Sequence, residues 1–278
     1  MSWLVAPFAN NPFLVRSLVA GVLVALACSI AGTFVVLRGL AFLGDALAHG
    51  VLPGVAGALL LGLPSVLGAA VGATVMILGV NAITSNSRLS SDTAVGLLFV
   101  GLLALGVMMV SRSDSFAGDV VSILFGEILG VSRSDLVQQF VALAVIALVA
   151  RIFARPFMLL AFDPEQVDIA GWSSKRVELL MLVMVAVCVV MSFQTVGTLL
   201  VFGMLLAPAG TGALLATRVP IMMGWAALFG CFSVYVGLLA SYHFDLAAGA
   251  SVVVCAVTVF FAVLTIQTLR QRREGATA

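Results

Sequence analysis

Nine apolar runs follow one another along this chain, at residues 13–37, 40–61, 64–83, 92–110, 134–154, 177–194, 196–217, 219–240 and 246–268. Each is close to the roughly 20 residues a helix needs to cross about 30 Å of hydrocarbon. No water reaches that depth, so each segment must satisfy its own backbone N–H and C=O groups, and a helix does so. The expected fold is therefore all-α: a polytopic membrane bundle of about eight or nine transmembrane helices. Hydrophobic residues make up 63% and charged residues 9% of the sequence, against about 45–50% and 25% in soluble domains. The excess is spread over all 278 residues, so residues 1–278 form a single membrane domain.

The remaining composition narrows the class. A net charge of +1 gives no sign of a nucleic-acid partner. Cys28, Cys188, Cys231 and Cys255 sit inside apolar runs without metal-ligand spacing, so they read as small buried hydrophobes outside any disulfide framework. The N-terminal residues show no basic region followed by a small-residue cleavage site, so no signal peptide is expected and the first span serves as its own insertion signal.

Basic residues set the orientation. With the loop at 155–176 and the C-terminus in the cytoplasm, Arg38, Arg88, Arg151, Arg155, Lys175, Arg176, Arg218, Arg270, Arg272 and Arg273 face inward. Arg16, Arg112 and Arg133 face outward. The bias requires that 115–131, too short and too charged for a clear span, does not cross; it reads as a re-entrant or interfacial helix. Within 155–176, Asp163-Pro164-Glu165 is a helix-start signal, with proline in the first turn and acid beside it. The short charged helix it starts, ending near Gly171, offers a cytoplasmic docking point for a soluble partner.

Two ionisable residues stand inside the second run. Asp45 and His49 are four apart, which places both on one helix face about 5–6 Å apart at Cβ. A charge at bilayer depth costs about 2.5–3.5 kcal/mol at least, so something must offset it. A carboxylate and an imidazole together suit a divalent cation. The plainer alternative is a helix–helix contact, with Asp45 paired to Arg38 or His49 bonded to a carbonyl. Gly44, Gly50, Pro53 and Gly54 flank the pair and are expected to loosen the helix, as irregular backbone does where it lines a cavity. His243 and Asp245, in an outward loop, are a second pair able to receive a cation, though such residues are ordinary in solvated loops. Asp114, Asp119 and Glu127 read as solvated loop charges, and Asp92 as a helix cap.

Absences exclude other chemistry. The one lysine, Lys175, does not lie in a G-x-x-x-x-G-K-[ST] phosphate loop, so the chain is no conventional P-loop ATPase. It contains no His-Glu-x-x-His, Cys-x-x-Cys or Gly-x-Ser-x-Gly, which counts against an intramembrane hydrolase.

Four segments then resemble a known family. Leu37-Arg38-Gly39 through Asp45-Ala46-Leu47-Ala48-His49-Gly50-Val51-Leu52-Pro53-Gly54 resembles the motif of the zinc/manganese ABC importer permeases. So do Leu124 to Gly130, Ala161-Phe162-Asp163-Pro164-Glu165 with Gly171, and Val196 to Val201 with Leu206-Ala207-Pro208-Ala209. The resemblance implies a membrane permease without its own ATPase motif, in two copies, in the cell membrane. Two cytoplasmic ATP-binding subunits would dock beneath and an extracytoplasmic metal-binding protein above. It also implies that Asp45 and His49 line the metal route, and that Asp163, Pro164, Glu165 and Gly171 belong to the coupling region. No resident cofactor is expected, only the transported Zn²⁺ or Mn²⁺. Two Asp and two His converging from two copies would suit tetrahedral Zn²⁺ and tolerate Mn²⁺ with added waters; affinity hierarchies lean the reading toward zinc. Ligation needs neutral imidazole, so acid should weaken uptake. The runner-up is an ion-gradient-driven secondary metal transporter with Asp45 as its proton or sodium site.

Overall fold

The computed structural model describes residues 7–8, 11–111 and 128–275, and among them all regular structure is helical. The helices are α1 (Pro12–Leu37), α2 (Ala41–Gly50), α3 (Leu52–Leu60), α4 (Ser65–Asn86), α5 (Ser91–Val110), α6 (Arg133–Ile152), α7 (Ala154–Phe162), α8 (Pro164–Ile169), α9 (Ser174–Leu215), α10 (Val219–Phe244) and α11 (Ala248–Gly275). Eight segments are long and apolar enough to cross a membrane, and Leu200–Leu215 is a shorter apolar helix.

Two places depart from a simple reading of one run as one helix. The run at 40–61 is two short helices, α2 and α3, meeting at Val51, with Pro53 in the first turn of α3. The runs at 177–194 and 196–217 share α9, but Gly197 breaks it with φ 76° and ψ 162°. That positive φ is strained for any residue with a Cβ, so glycine is what allows the chain to turn there. α9 is thus an outgoing limb, Ser174–Phe193, and a return limb, Leu200–Leu215. A smaller correction concerns α5: its N-cap is Ser90, whose hydroxyl accepts from the Thr93 N–H, while Asp92 lies in the first turn.

Burial orders the bundle. The most apolar window of α1 is 67% buried and the outgoing limb of α9 61%, whereas α5 and α11 are 17% and 11% buried. The first two are core; the last two present most of their surface outward. Small residues let the core close. A Cβ on Gly32 would run into the Leu205 carbonyl, and one on Gly54 into the Gly68 carbonyl, so these backbones touch as membrane helices with small residues do. The expected break in this helix falls at Val51, between Gly50 and Pro53, and Gly44 adds close packing: a Cβ there would meet Leu205 Cδ2 at 2.6 Å.

Contacts fix the direction of each helix. Arg38 reaches Leu160 and Glu178, which brings the end of α1, α7 and the start of α9 to one face. Gly50 lies by Leu102, Gly57 by Met109 and Gly106 by Pro53, so α5 runs parallel to α2–α3. Gly54 and Ala58 meet Gly68 while Val51 meets Gly72, so α4 runs antiparallel to them. α10 is antiparallel to α1, through Gly21 with Val234 and Ala25 with Gly230, and also to the return limb, through Met204 with Gly230 and Gly212 with Met222. The return limb therefore runs with α1, and the chain reverses at Gly197. α11 follows the return limb, from Gly203 beside Val253 to Gly210 beside Phe260, and Gln267 donates to the Leu214 carbonyl.

Ser111 and Arg133 accordingly lie at the same end of the bundle. The expectations for 115–131, and for Asp114, Asp119 and Glu127, fall almost wholly outside the described residues. The flanking helices nonetheless preserve the predicted sidedness: ten basic residues at the Arg38 end against Arg16 and Arg133 at the other. The Arg38 end is cytoplasmic by that bias.

Candidate functional site

α1 ends in a Schellman turn: the Leu40 N–H bonds the Val35 carbonyl at 3.0 Å and the Gly39 N–H the Val36 carbonyl at 3.1 Å, with Gly39 at φ 67°. Leu40 is buried beneath this corner and α2 starts at Ala41. On α2, Leu43, Gly44, Ala46, Leu47 and Ala48 are buried. Phe42, Asp45 and His49 occupy the opposite face, at helical spacing.

His49 Nε2 lies 3.4 Å from Asp45 Oδ1, with side chains 22% and 27% exposed. That is longer than a good N–H···O bond. Two donors at about 2.0–2.2 Å from one tetrahedral ion lie about 3.3–3.6 Å apart, so the pair already has a two-ligand bite. The Phe99 ring stands edge-on to His49 at 5.8 Å and to Phe42 at 5.3 Å, giving the pair an apolar wall. The alternative Asp45–Arg38 contact is not formed, because Arg38 is engaged by Glu178. Among the described residues no third His, Cys, Asp or Glu joins a metal-holding group. To an ion bound here, the described residues of one chain would supply two donors.

At about 1.5 Å per residue, Asp45 and His49 stand about 6–12 Å along the twenty-residue span that begins at Ala41. His243 and Asp245 lie elsewhere, at the outward end of α10. His243 Nδ1 and the Leu239 carbonyl are 2.9 Å apart, and Asp245 is the left-handed C-cap with φ 52°, its N–H bonded to Ser241. The structure therefore does not bring the two predicted pairs together.

The predicted coupling residues form one unit. Asp163 caps α8: Oδ1 accepts from the Glu165 N–H at 3.0 Å and Oδ2 from Gln166 Nε2 at 3.1 Å. Pro164 occupies the first turn, and α8 closes at Gly171, φ 83°. Asp168 Oδ1 then accepts from the Ser174 N–H at 2.9 Å, joining α8 to the start of α9. Val167 is fully buried, while Phe162 and Ile169 are 75% and 84% exposed. Phe162 and Ile169 thus present exposed apolar side chains on either side of α8 at the cytoplasmic end.

Sequence reasoning missed Glu178. It lies one turn inside an apolar span, and an ionisable residue there was the available signal. It forms the 2.8 Å ion pair with Arg38.

The model of the ABC 3 transport family matches residues 10–267. The manganese transport system membrane protein MntC of Halalkalibacterium halodurans is 37% identical over 248 residues, covering 89% of this chain and 85% of that protein. The probable iron transport system membrane protein of Haemophilus influenzae is 34% identical over 271 residues, covering 97% and 99%. Among solved structures, PsaBC from Streptococcus pneumoniae in complex with Fab superposes with a TM-score of 0.83 at 32% identity, covering 94% of each chain.

Proposed function

The chain belongs to the ABC 3 transport family, and on that premise we propose that it carries a first-row divalent metal ion into the cytoplasm through the face of α2 that bears Asp45 and His49. It is a multi-pass ABC permease of the cell membrane. The observation that carries the metal reading is the Asp45–His49 pair, a carboxylate and an imidazole 3.4 Å apart inside a broken span. Names of relatives favour manganese over the zinc to which affinity alone pointed. The gradient-driven alternative has no support from this family.

In this reading two copies of the chain face each other and their Asp45 and His49 side chains complete one site. Two cytoplasmic ATP-binding subunits dock on the exposed tips at Phe162 and Ile169 and supply the energy, since no phosphate loop occurs here. An extracytoplasmic metal-binding protein delivers the ion to the outward end, where His243 and Asp245 receive it. Asp163, Pro164, Glu165 and Gly171 shape the docking helix and its end. The ion is cargo, and no resident cofactor is invoked.

The test is Mn²⁺ uptake by the reconstituted complex in proteoliposomes, with ATP hydrolysis followed in parallel. D45A and H49A should each lower uptake about tenfold or more, since even an outer-shell partner of a metal ligand contributes about that much. Unimpaired uptake in both removes them from the route. H243A and D245A should lower uptake chiefly at limiting metal; uptake unchanged at every metal concentration removes them as the receiving point.

A further inference from the structure

Arg38 is the C-cap of α1, yet its side chain turns away from its own helix. Nη1 donates to the Leu160 carbonyl of α7 at 3.0 Å, and Nη2 donates to Glu178 Oε1 of α9 at 2.8 Å. The side chain is 17% exposed. These two partners flank the docking helix. Leu160 lies three residues before Asp163, which caps α8; Glu178 lies four residues after Ser174, which is bonded to Asp168 of α8. Edge-on packing of Phe34 against Phe157 at 5.2 Å seats the same corner of α1 on α7.

On its other side Arg38 leads directly to the metal pair. Gly39, at φ 67° with open space where a Cβ would stand, is the turn, and Asp45 is the fifth residue of the helix that follows. A shift of α8 that moved the end of α7 or the start of α9 would either carry Arg38, and with it the start of α2, or break two charge-assisted hydrogen bonds in a mostly buried place.

We propose that Arg38, clamped to Leu160 and Glu178, is the positioning residue that transmits displacement of the docking helix to the helix bearing Asp45 and His49. This rests on the transport reading above. The guanidinium suits such a clamp because its rigid fork holds a carbonyl and a carboxylate at once, which a lysine ammonium does with less geometric control. The clamp bonds neither Asp45 nor His49, and both its partners lie on α7 and α9. Its removal should separate hydrolysis from transport and leave each partner's own chemistry in place.

The experiment measures Mn²⁺ taken up per ATP hydrolysed by the full complex in proteoliposomes, for wild type, R38Q, E178Q and the double variant. R38Q and E178Q should each lower that ratio about tenfold, the scale of one hydrogen bond to a charged group, while hydrolysis per assembled complex stays near wild type. The double variant should be no worse than the more impaired single one, since both remove the same link. An unchanged ratio in E178Q, uptake and hydrolysis falling in parallel, or additive losses would overturn the proposal. E178Q removes the carboxylate charge at nearly constant side-chain size, so it carries the test if R38Q fails to assemble. A wild-type complex without ATP-driven uptake would instead overturn the transport reading itself.

Discussion

At the scale of single residues, the transport reading sets function against stability at Asp45. An intramembrane carboxylate costs about 2.5–3.5 kcal/mol, and its one observed neighbour of opposite polarity is a His49 nitrogen at 3.4 Å. That contact is too long to offset the cost. D45A should therefore leave the melting temperature of the purified complex unchanged or raised while uptake falls about tenfold or more. A marked drop in melting temperature would make Asp45 a structural residue. Arg38 shows the reverse case. Its charge was legible in the sequence, but its partner was not: a carboxylate 140 positions away is brought to 2.8 Å only by the packing of α1 on α9. Local spacing reveals pairs such as Asp45–His49 and is blind to pairs such as Arg38–Glu178.

At the scale of elements, the apolar runs marked the helices well, because a span must satisfy its backbone internally whatever its neighbours do. The same runs said little about how the helices touch. Gly54 and Gly101 are both helical glycines, yet a Cβ on Gly54 would enter the Gly68 carbonyl whereas nothing stands within 4 Å of one on Gly101. G54A should destabilise by about 1–3 kcal/mol through forced separation of α3 and α4. G101A should be neutral or stabilising by about 0.5–1 kcal/mol, from helix propensity alone. Thermal unfolding of the two variants side by side checks this, and equal effects would mean that the α3–α4 crossing is not close-packed. The helix caps show the same limit: Ser90 and Asp92 are both good capping types, and only the geometry picks Ser90.

At the scale of the whole molecule, the transport reading turns on whether one copy's donors suffice. The bundle buries α1 and the outgoing limb of α9, yet leaves Asp45 and His49 partly exposed on a face of their own. Two donors hold a divalent ion weakly, and among the described residues no third one is supplied. A second copy, related by a twofold axis, would place the same face opposite itself and double the donors without any new residue. A complex with one wild-type copy and one D45A copy, isolated through two different tags, separates the alternatives. If each copy carried its own route, uptake would fall to about half, since one route of two would survive. If the two pairs build one site, the mixed complex loses a ligand from the only site there is, and its uptake should lie close to that of the complex with both copies changed. Uptake at half the wild-type rate would place a separate route in each subunit, and the partly exposed face of α2 would then need another occupant.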